Sequence, residues 1–166
     1  MVIKIKHFEY GELVSTGDEV EGIVSSIAVL TGSEAQLVRK VGDLYIIRSG
    51  RVVYVYNIKK GLCGTYASVG PFREGLSVVR DKDALKGYID LSGSLVIKPK
   101  YVFAFPFKKG RAIVGNEASR GVIDKTGNIV IPLVYQAITF NGDVFSATPM
   151  FSSKIETLDI NGALIS

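Results

Sequence analysis

Tryptophan is absent from this 166-residue sequence, and cysteine and histidine each occur once, as Cys63 and His7. A single thiol excludes an internal disulfide. Acid–base catalysis and metal binding both rely heavily on histidine, and a cysteine nucleophile needs an activating base. Phosphate-binding loops, zinc-ligand spacings and nucleophile elbows are also missing from the sequence. These absences predict a protein that is not an enzyme and that uses no metal or cofactor.

Long hydrophobic runs are also lacking. No apolar stretch approaches the roughly 20 residues that a membrane-spanning helix requires. Lys4 and Lys6 interrupt the first apolar residues, so no signal-peptide core follows them. We therefore expect a cytoplasmic protein that does not associate with membranes.

What the sequence does contain is a repeat. Gly87, Asp90 and Gly93 recur 34 residues later as Gly121, Asp124 and Gly127. Aromatic residues recur as well, as Tyr66, Tyr101 and Tyr135 and as Phe72, Phe107 and Phe140. Such self-similarity is typical of repeat proteins, in which each unit buries its apolar face on its neighbour. We expect these aromatic residues to interlock the units rather than to bind a ligand.

The repeat indicates strands. Its short runs of β-branched and aromatic residues alternate with Asp-x-x-Gly turns, in which Asp bonds the turn backbone and Gly accepts a positive φ. The fold class predicted is all-β, with tandem repeats of about 33–35 residues, each a short antiparallel meander. We expect the units to stack as a twisted solenoid-like array, and a closed barrel or small propeller is the alternative.

The repeat array is predicted over residues 44–166, with units near 44–71, 72–106, 107–139 and 140–166. Residues 1–43 are interpreted as a divergent N-terminal segment or capping repeat, in which Phe8-x-x-Gly11 starts a fifth, faint unit. Within it, Val20, Ile23, Val24 and Ile27 have helical spacing. Because residues 18–30 are rich in β-branched side chains and flanked by glycines, we predict strands there.

The order of the repeated residues resembles the WG repeat family, most clearly over residues 70–137 and partially over 44–69 and 138–166. The resemblance implies a β-rich repeat fold of bacterial or phage origin and no particular chemistry. The signature tryptophan of that family is replaced by Lys86 in one unit and by Arg120 in the next. The matching positions in the best unit are Phe72, Glu74, Gly75, Leu76, Val78, Gly87, Tyr88, Ile89, Asp90, Gly93, Val96, Ile97, Pro99 and Tyr101.

Positive charge is concentrated in one segment, without an acidic residue between Asp90 and Glu117. This basic patch consists of Lys98, Lys100, Lys108, Lys109 and Arg111. Lysines of this kind also protect a strand edge from unwanted pairing. As a binding surface, the patch suits another protein with an acidic surface, or a nucleic acid or other polyanion.

Taken together, the sequence predicts a non-catalytic protein-interaction module, an inhibitor or adaptor acting by surface binding. The alternative is nucleic-acid or polyanion binding through the basic patch at 98–111. Nucleic-acid binding would gain from exposed aromatic side chains among the cations, and the repeated aromatics are expected to be buried.

Overall fold

The structure, a computed structural model, describes residues 19–166, with side chains from residue 21 onward. His7, the Phe8-x-x-Gly11 motif and the first part of the predicted segment 1–43 lie outside the described residues. The chain forms two compact units. Among the described residues, unit 1 comprises residues 19–69 and Leu91–Ser94, and unit 2 comprises Gly70–Asp90 and Leu95–Ser166.

The described chain contains one helix and fourteen strands. Helix α1 spans Glu19–Thr31. The strands are β1 (Ala35–Val41), β2 (Leu44–Ser49), β3 (Val52–Asn57), β4 (Gly61–Tyr66), β5 (Ser68–Arg73), β6 (Leu76–Arg80), β7 (Lys86–Asp90), β8 (Leu95–Tyr101), β9 (Phe103–Ala104), β10 (Arg111–Gly115), β11 (Arg120–Asp124), β12 (Ile129–Phe140), β13 (Phe145–Pro149) and β14 (Glu156–Leu158).

Three open antiparallel sheets arise from these strands, in the orders β1-β2-β3-β4, β5-β6-β7-β8 and β14-β13-β12-β11-β10-β9. The predicted fold class is confirmed, because the described chain is almost entirely antiparallel β and none of these sheets closes into a barrel. The division into repeat units and their stacking along the whole chain stay predictions.

The prediction of strands at residues 18–30 was wrong, because α1 covers this segment. Ile23 and Ile27, one helical turn apart, are fully buried against Tyr45 and Ile47 of the first sheet. Packing of this apolar stripe outweighs the modest helix penalty of β-branched residues. Gly32, with a φ of 61°, lies directly after the helix, as is common at helix C-termini.

The core of unit 2 is built from the repeated positions. Tyr88 is fully buried between Ile97 and Phe107, and its ring meets that of Phe107 edge-on at a centroid distance of 4.9 Å. The Tyr88 hydroxyl donates a hydrogen bond of 2.8 Å to the Phe105 carbonyl oxygen, which satisfies the one polar atom of this ring. Burial raises the pKa of Tyr88 far above its ordinary value, so the hydroxyl stays protonated.

The predicted Asp-x-x-Gly turns are confirmed. The Asp124 carboxylate accepts hydrogen bonds of 2.9 Å from the Thr126 and Asn128 backbone amides. Gly127 follows with a φ of 91°, and Gly93, its counterpart in the preceding unit, has a φ of 84°. At these positions a side chain would be strained, which explains why glycine recurs there.

The signature glycines recur for another reason, which is close backbone approach. A Cβ atom added at Gly87 would lie 2.7 Å from the Pro99 backbone nitrogen and would also clash with the Ile97 carbonyl oxygen. A Cβ at Gly121 would lie 2.6 Å from the Ile131 carbonyl oxygen. In both repeats the following strand bulges beside the glycine. Two residues that lie two positions apart on the glycine's strand pair with residues that lie four positions apart on the next strand.

Candidate partner-binding surface

Lys98 and Lys100 lie on β8, which is an edge strand of its sheet. Both side chains are exposed, and so is Val96, whereas Ile97 and Tyr101 are buried in the core. Lys98 makes no ion pair with any residue in the described range, and the Lys100 ammonium lies 5.2 Å from the centroid of the Tyr101 ring. The edge strand therefore presents two cations beside an apolar side chain.

The other three members of the basic patch lie at a hairpin turn. Lys108 and Arg111 face each other across it, and the turn residues Lys109 and Gly110 have φ values of 50° and 73°. Two consecutive positive φ angles favour a tight turn that matches the twist of the strands.

The members of the turn group differ in what their charges do. Lys109 pairs with Asp143 at 2.7 Å. Arg111 donates from Nε to the Ile160 carbonyl oxygen at 2.8 Å and from a terminal nitrogen to Asn161. Lys109 and Arg111 therefore both make polar contacts within the fold.

Lys108 remains an exposed cation, with its ammonium 5.5 Å from the centroid of the Phe140 ring. Lys98, Lys100 and Lys108 are thus exposed and form no ion pair within residues 19–166, whereas the other two members of the basic patch make polar contacts within the fold.

Glu74 contacts residues of the next repeat, and this interaction, the Glu74 cluster, was not predicted from the sequence. The Glu74 carboxylate accepts hydrogen bonds from the Lys109 and Gly110 backbone amides at 2.5 and 2.8 Å. Lys125 donates to the Glu74 carbonyl oxygen at 2.8 Å and lies 3.3 Å from the carboxylate. The Gly110 amide, followed by the Lys109 amide and Lys125, holds the pKa of Glu74 below its ordinary value.

The spacing of Glu74 and Lys109, 35 residues apart, was the signal that could have revealed this Glu74 cluster. Both residues precede the glycine of a Phe-x-x-Gly motif, so they occupy the same turn position in successive repeats.

Lys86 and Arg120, at the positions where the WG resemblance expects tryptophan, share one aromatic neighbour. The Arg120 guanidinium carbon lies 3.8 Å from the centroid of the Phe103 ring, and the Lys86 ammonium lies 5.8 Å from it. Cation–π attraction stabilises such pairs. The two repeats therefore surround Phe103 with cations, and this arrangement uses the charges within the fold.

Cys63, the other chemically reactive residue considered from the sequence, lies on β4. Its half-buried sulfur lies 3.5 Å from the Gly61 carbonyl oxygen and 3.7 Å from that of Ser92. Within residues 19–166, no group of three or more histidine, cysteine, aspartate or glutamate side chains is arranged to hold a metal ion. No helix in this range has the length and apolar character required to cross a membrane.

Comparison with known proteins finds similar solved structures and a family model that matches part of the chain. The computationally designed Ika4 protein is 12% identical, with 73% of this chain and 88% of that chain covered and a TM-score of 0.41. BamB from Moraxella catarrhalis is 11% identical, with 76% of this chain and 46% of that chain covered and a TM-score of 0.41. The chain thus spans less than half the length of BamB. No curated protein matches it.

A family model described as "WG containing repeat" matches residues 87–117 and 121–146. Both segments begin at the glycine that makes the close backbone approach described above, directly after Lys86 and Arg120. The resemblance drawn from the sequence is therefore confirmed: this chain carries two segments similar to the WG containing repeat.

Proposed function

We propose that the chain is a non-catalytic protein-interaction module of bacterial or phage origin that acts in the cytoplasm, as an inhibitor or adaptor, by surface binding. Its partner is a protein with an acidic surface. The observation that carries the proposal is the exposed edge strand β8. On this strand Lys98 and Lys100 have no carboxylate partner in the described range, and Val96 beside them is 39% exposed.

The arrangement favours a protein partner over a nucleic acid. Binding of single-stranded nucleic acid draws on aromatic side chains that can stack on bases. Of the aromatic residues between Lys98 and Arg111, Tyr101 and Phe107 are only 5% and 3% exposed. Phe105, at 53%, is the one exposed ring among them, and one ring does not form a row of stacking surfaces. An exposed valine beside two lysines suits the mixed apolar and charged surface of a protein interface instead.

The proposal predicts that Lys98→Glu/Lys100→Glu disrupts capture of a protein partner from a native lysate. Because charges at an interface rim act mainly on the association rate, we expect that rate to fall about tenfold or more with the purified partner. Surface plasmon resonance at two salt concentrations measures it. The matched control is Arg73→Glu/Lys82→Glu, which makes the same change of charge at exposed sites of the same unit.

Equal loss of capture in both double variants would contradict a specific role for β8. The polyanion alternative has its own signature, which is measured with a DNA duplex by fluorescence anisotropy. Contact with phosphates would give an affinity that falls by roughly 0.9 log units per log unit of salt for each phosphate neutralised. We expect duplex binding no tighter than about 10⁻⁶ M at physiological salt.

A further inference from the structure

The loop between β13 and β14, residues 150–155, carries the most exposed large apolar side chain of the described chain. Phe151 is 98% exposed. Its backbone has a φ of 62°. This left-handed conformation is costly for a bulky residue, because the Cβ atom crowds the backbone. An exposed ring contributes nothing to the core, so packing within the chain does not account for this residue.

Local hydrogen bonds fix the loop in this conformation. The Ser152 amide donates to the Pro149 carbonyl oxygen at 3.3 Å, and the Lys154 amide donates to the Ser152 hydroxyl at 3.0 Å. These bonds constrain the backbone of the loop while the Phe151 ring lies in solvent. Strained residues that the surrounding structure maintains concentrate at sites of recognition.

Exposed apolar and basic residues lie on the same loop and on the strand that pairs with its base. Ile155 is 63% exposed, and Val134 is 54% exposed beside Tyr135, which pairs with Pro149 at the base of the loop. Lys154 is exposed and makes no ion pair with any residue in the described range. The neighbouring carboxylate of Glu156 accepts a hydrogen bond of 3.1 Å from the Tyr135 hydroxyl.

We propose that Phe151 is an anchor that inserts into an apolar pocket of a partner protein, with an acidic group at the rim of that pocket facing Lys154. Aromatic anchors in pockets dominate the energetics of protein interfaces, and a loop whose backbone is already held by hydrogen bonds loses less conformational entropy on binding. A bilayer also accepts apolar side chains, but the exposed Lys154 near the ring in sequence matches the acidic surface of the protein partner proposed above. This proposal rests on the proposed function and names a second contact for it.

The first test uses the photocrosslinking residue p-benzoylphenylalanine in place of Phe151 in the full chain, with the same probe at Ile129 as control. Ile129 is 61% exposed and lies in the same unit. In a native lysate we expect a specific adduct only from position 151. Its cross-linked peptide, mapped by mass spectrometry, should line an apolar cavity with an acidic side chain at the rim. Adducts of equal yield at both positions, or none at 151, would overturn the proposal.

The second test compares Phe151→Gly with Ile129→Gly in binding to the cross-linked protein after purification. Phe151→Gly should weaken binding about 30-fold or more, yet raise the melting temperature by about 2–4 °C, because glycine accepts the positive φ. A merely structural phenylalanine would lower the melting temperature instead. Unchanged binding in Phe151→Gly would contradict the anchor.

Two further readouts separate the proposals. If Lys98→Glu/Lys100→Glu weakens binding of the partner but Phe151→Gly does not, the proposed function stands and the anchor proposal fails. Because the chain has no tryptophan, Phe151→Trp provides a single fluorescent reporter. A blue shift of its emission on vesicles of phosphatidylcholine and phosphatidylserine would identify a membrane contact and overturn the protein pocket.

Discussion

Ala84 adopts a backbone conformation that alanine rarely tolerates, with a φ of 66°. It lies in the turn between β6 and β7, where Asp81 accepts hydrogen bonds of 2.9 Å from the Asp83 and Leu85 amides. The Asp124 turn has the same pattern, but there the corresponding position is Gly127. The fold therefore imposes a glycine conformation on alanine at this one turn.

Replacing Ala84 with glycine should stabilise the protein. A positive φ costs a residue with a Cβ about 1–2 kcal/mol, and the greater entropy of glycine in the unfolded chain offsets roughly 0.5–1 kcal/mol of the gain. We expect a net increase of about 0.5–1 kcal/mol in the free energy of unfolding, measured by urea titration. Ala118→Gly, in an exposed turn without a positive φ, is the control and should be neutral or destabilising. A destabilised Ala84→Gly would contradict the turn geometry.

At the scale of elements, glycine has opposite roles in the sheet and in the helix. Gly87 lies on β7, where the bulged part of β8 passes too close for any side chain. Gly22 lies within α1, and a Cβ added there would meet no atom within 4 Å. The same substitution should therefore have opposite effects at the two positions.

Gly87→Ala should destabilise the protein by about 3 kcal/mol or prevent folding, because backbone atoms of the neighbouring strand must move. Gly22→Ala should stabilise it by about 0.5–1 kcal/mol, since alanine is the better helix former. Circular dichroism during thermal unfolding measures both. A well-tolerated Gly87→Ala would show that the bulge of β8 can relax and that close approach does not require glycine there.

The Asp124 turn makes stability depend on pH. The Thr126 hydroxyl, followed by Asn128 and the backbone amides of both residues, lowers the pKa of Asp124 from 3.8 to about 2. A carboxylate with a lowered pKa stabilises the fold above its unfolded pKa, and this contribution disappears as pH falls through the folded pKa. The loss should therefore occur between pH values of about 4 and about 2.

Asp124→Asn should lower the urea midpoint at neutral pH and flatten its decline in that acidic range relative to the wild type. The control is Asp83→Asn, at an exposed hairpin tip where the carboxylate pairs with the adjacent Lys82. If Asp124→Asn follows the wild-type decline in full, the pH dependence arises elsewhere, for example at Glu74, whose pKa is also lowered.

At the scale of the whole molecule, the sequence predicted features that depend on a few neighbouring residues. The Asp-x-x-Gly turns were predictable because their hydrogen bonds span at most four residues. The aromatic positions were predictable in part, since Tyr66, Tyr101 and Phe107 are buried as expected, whereas Phe72, Tyr135 and Phe140 are only partly buried. The similarity to the WG containing repeat rested on the same local motifs.

The features that the sequence did not reveal depend on distant packing. Helix α1 is stabilised by burial of Ile23 and Ile27 against Tyr45, a contact that local β propensity cannot indicate. In the basic patch, sequence alone could not distinguish Lys98, which has no ion pair in the described range, from Lys109, which pairs with Asp143 across 34 residues. The specific role of each lysine follows only from the folded chain.

The Glu74 cluster also explains how the repeats accommodate changes in length. The stretch from Glu74 to Lys86 is one residue longer than the equivalent stretch from Lys109 to Arg120. The difference lies at the hairpin tips, because Arg80 and Lys86 enclose five residues whereas Gly115 and Arg120 enclose four. The extra residue is thus placed at the hairpin tip that joins β6 to β7. The turn at Lys109 and Gly110 has no such freedom, since its two amides must meet one carboxylate. Insertions and deletions should therefore be tolerated at one end of these hairpins and excluded from the other.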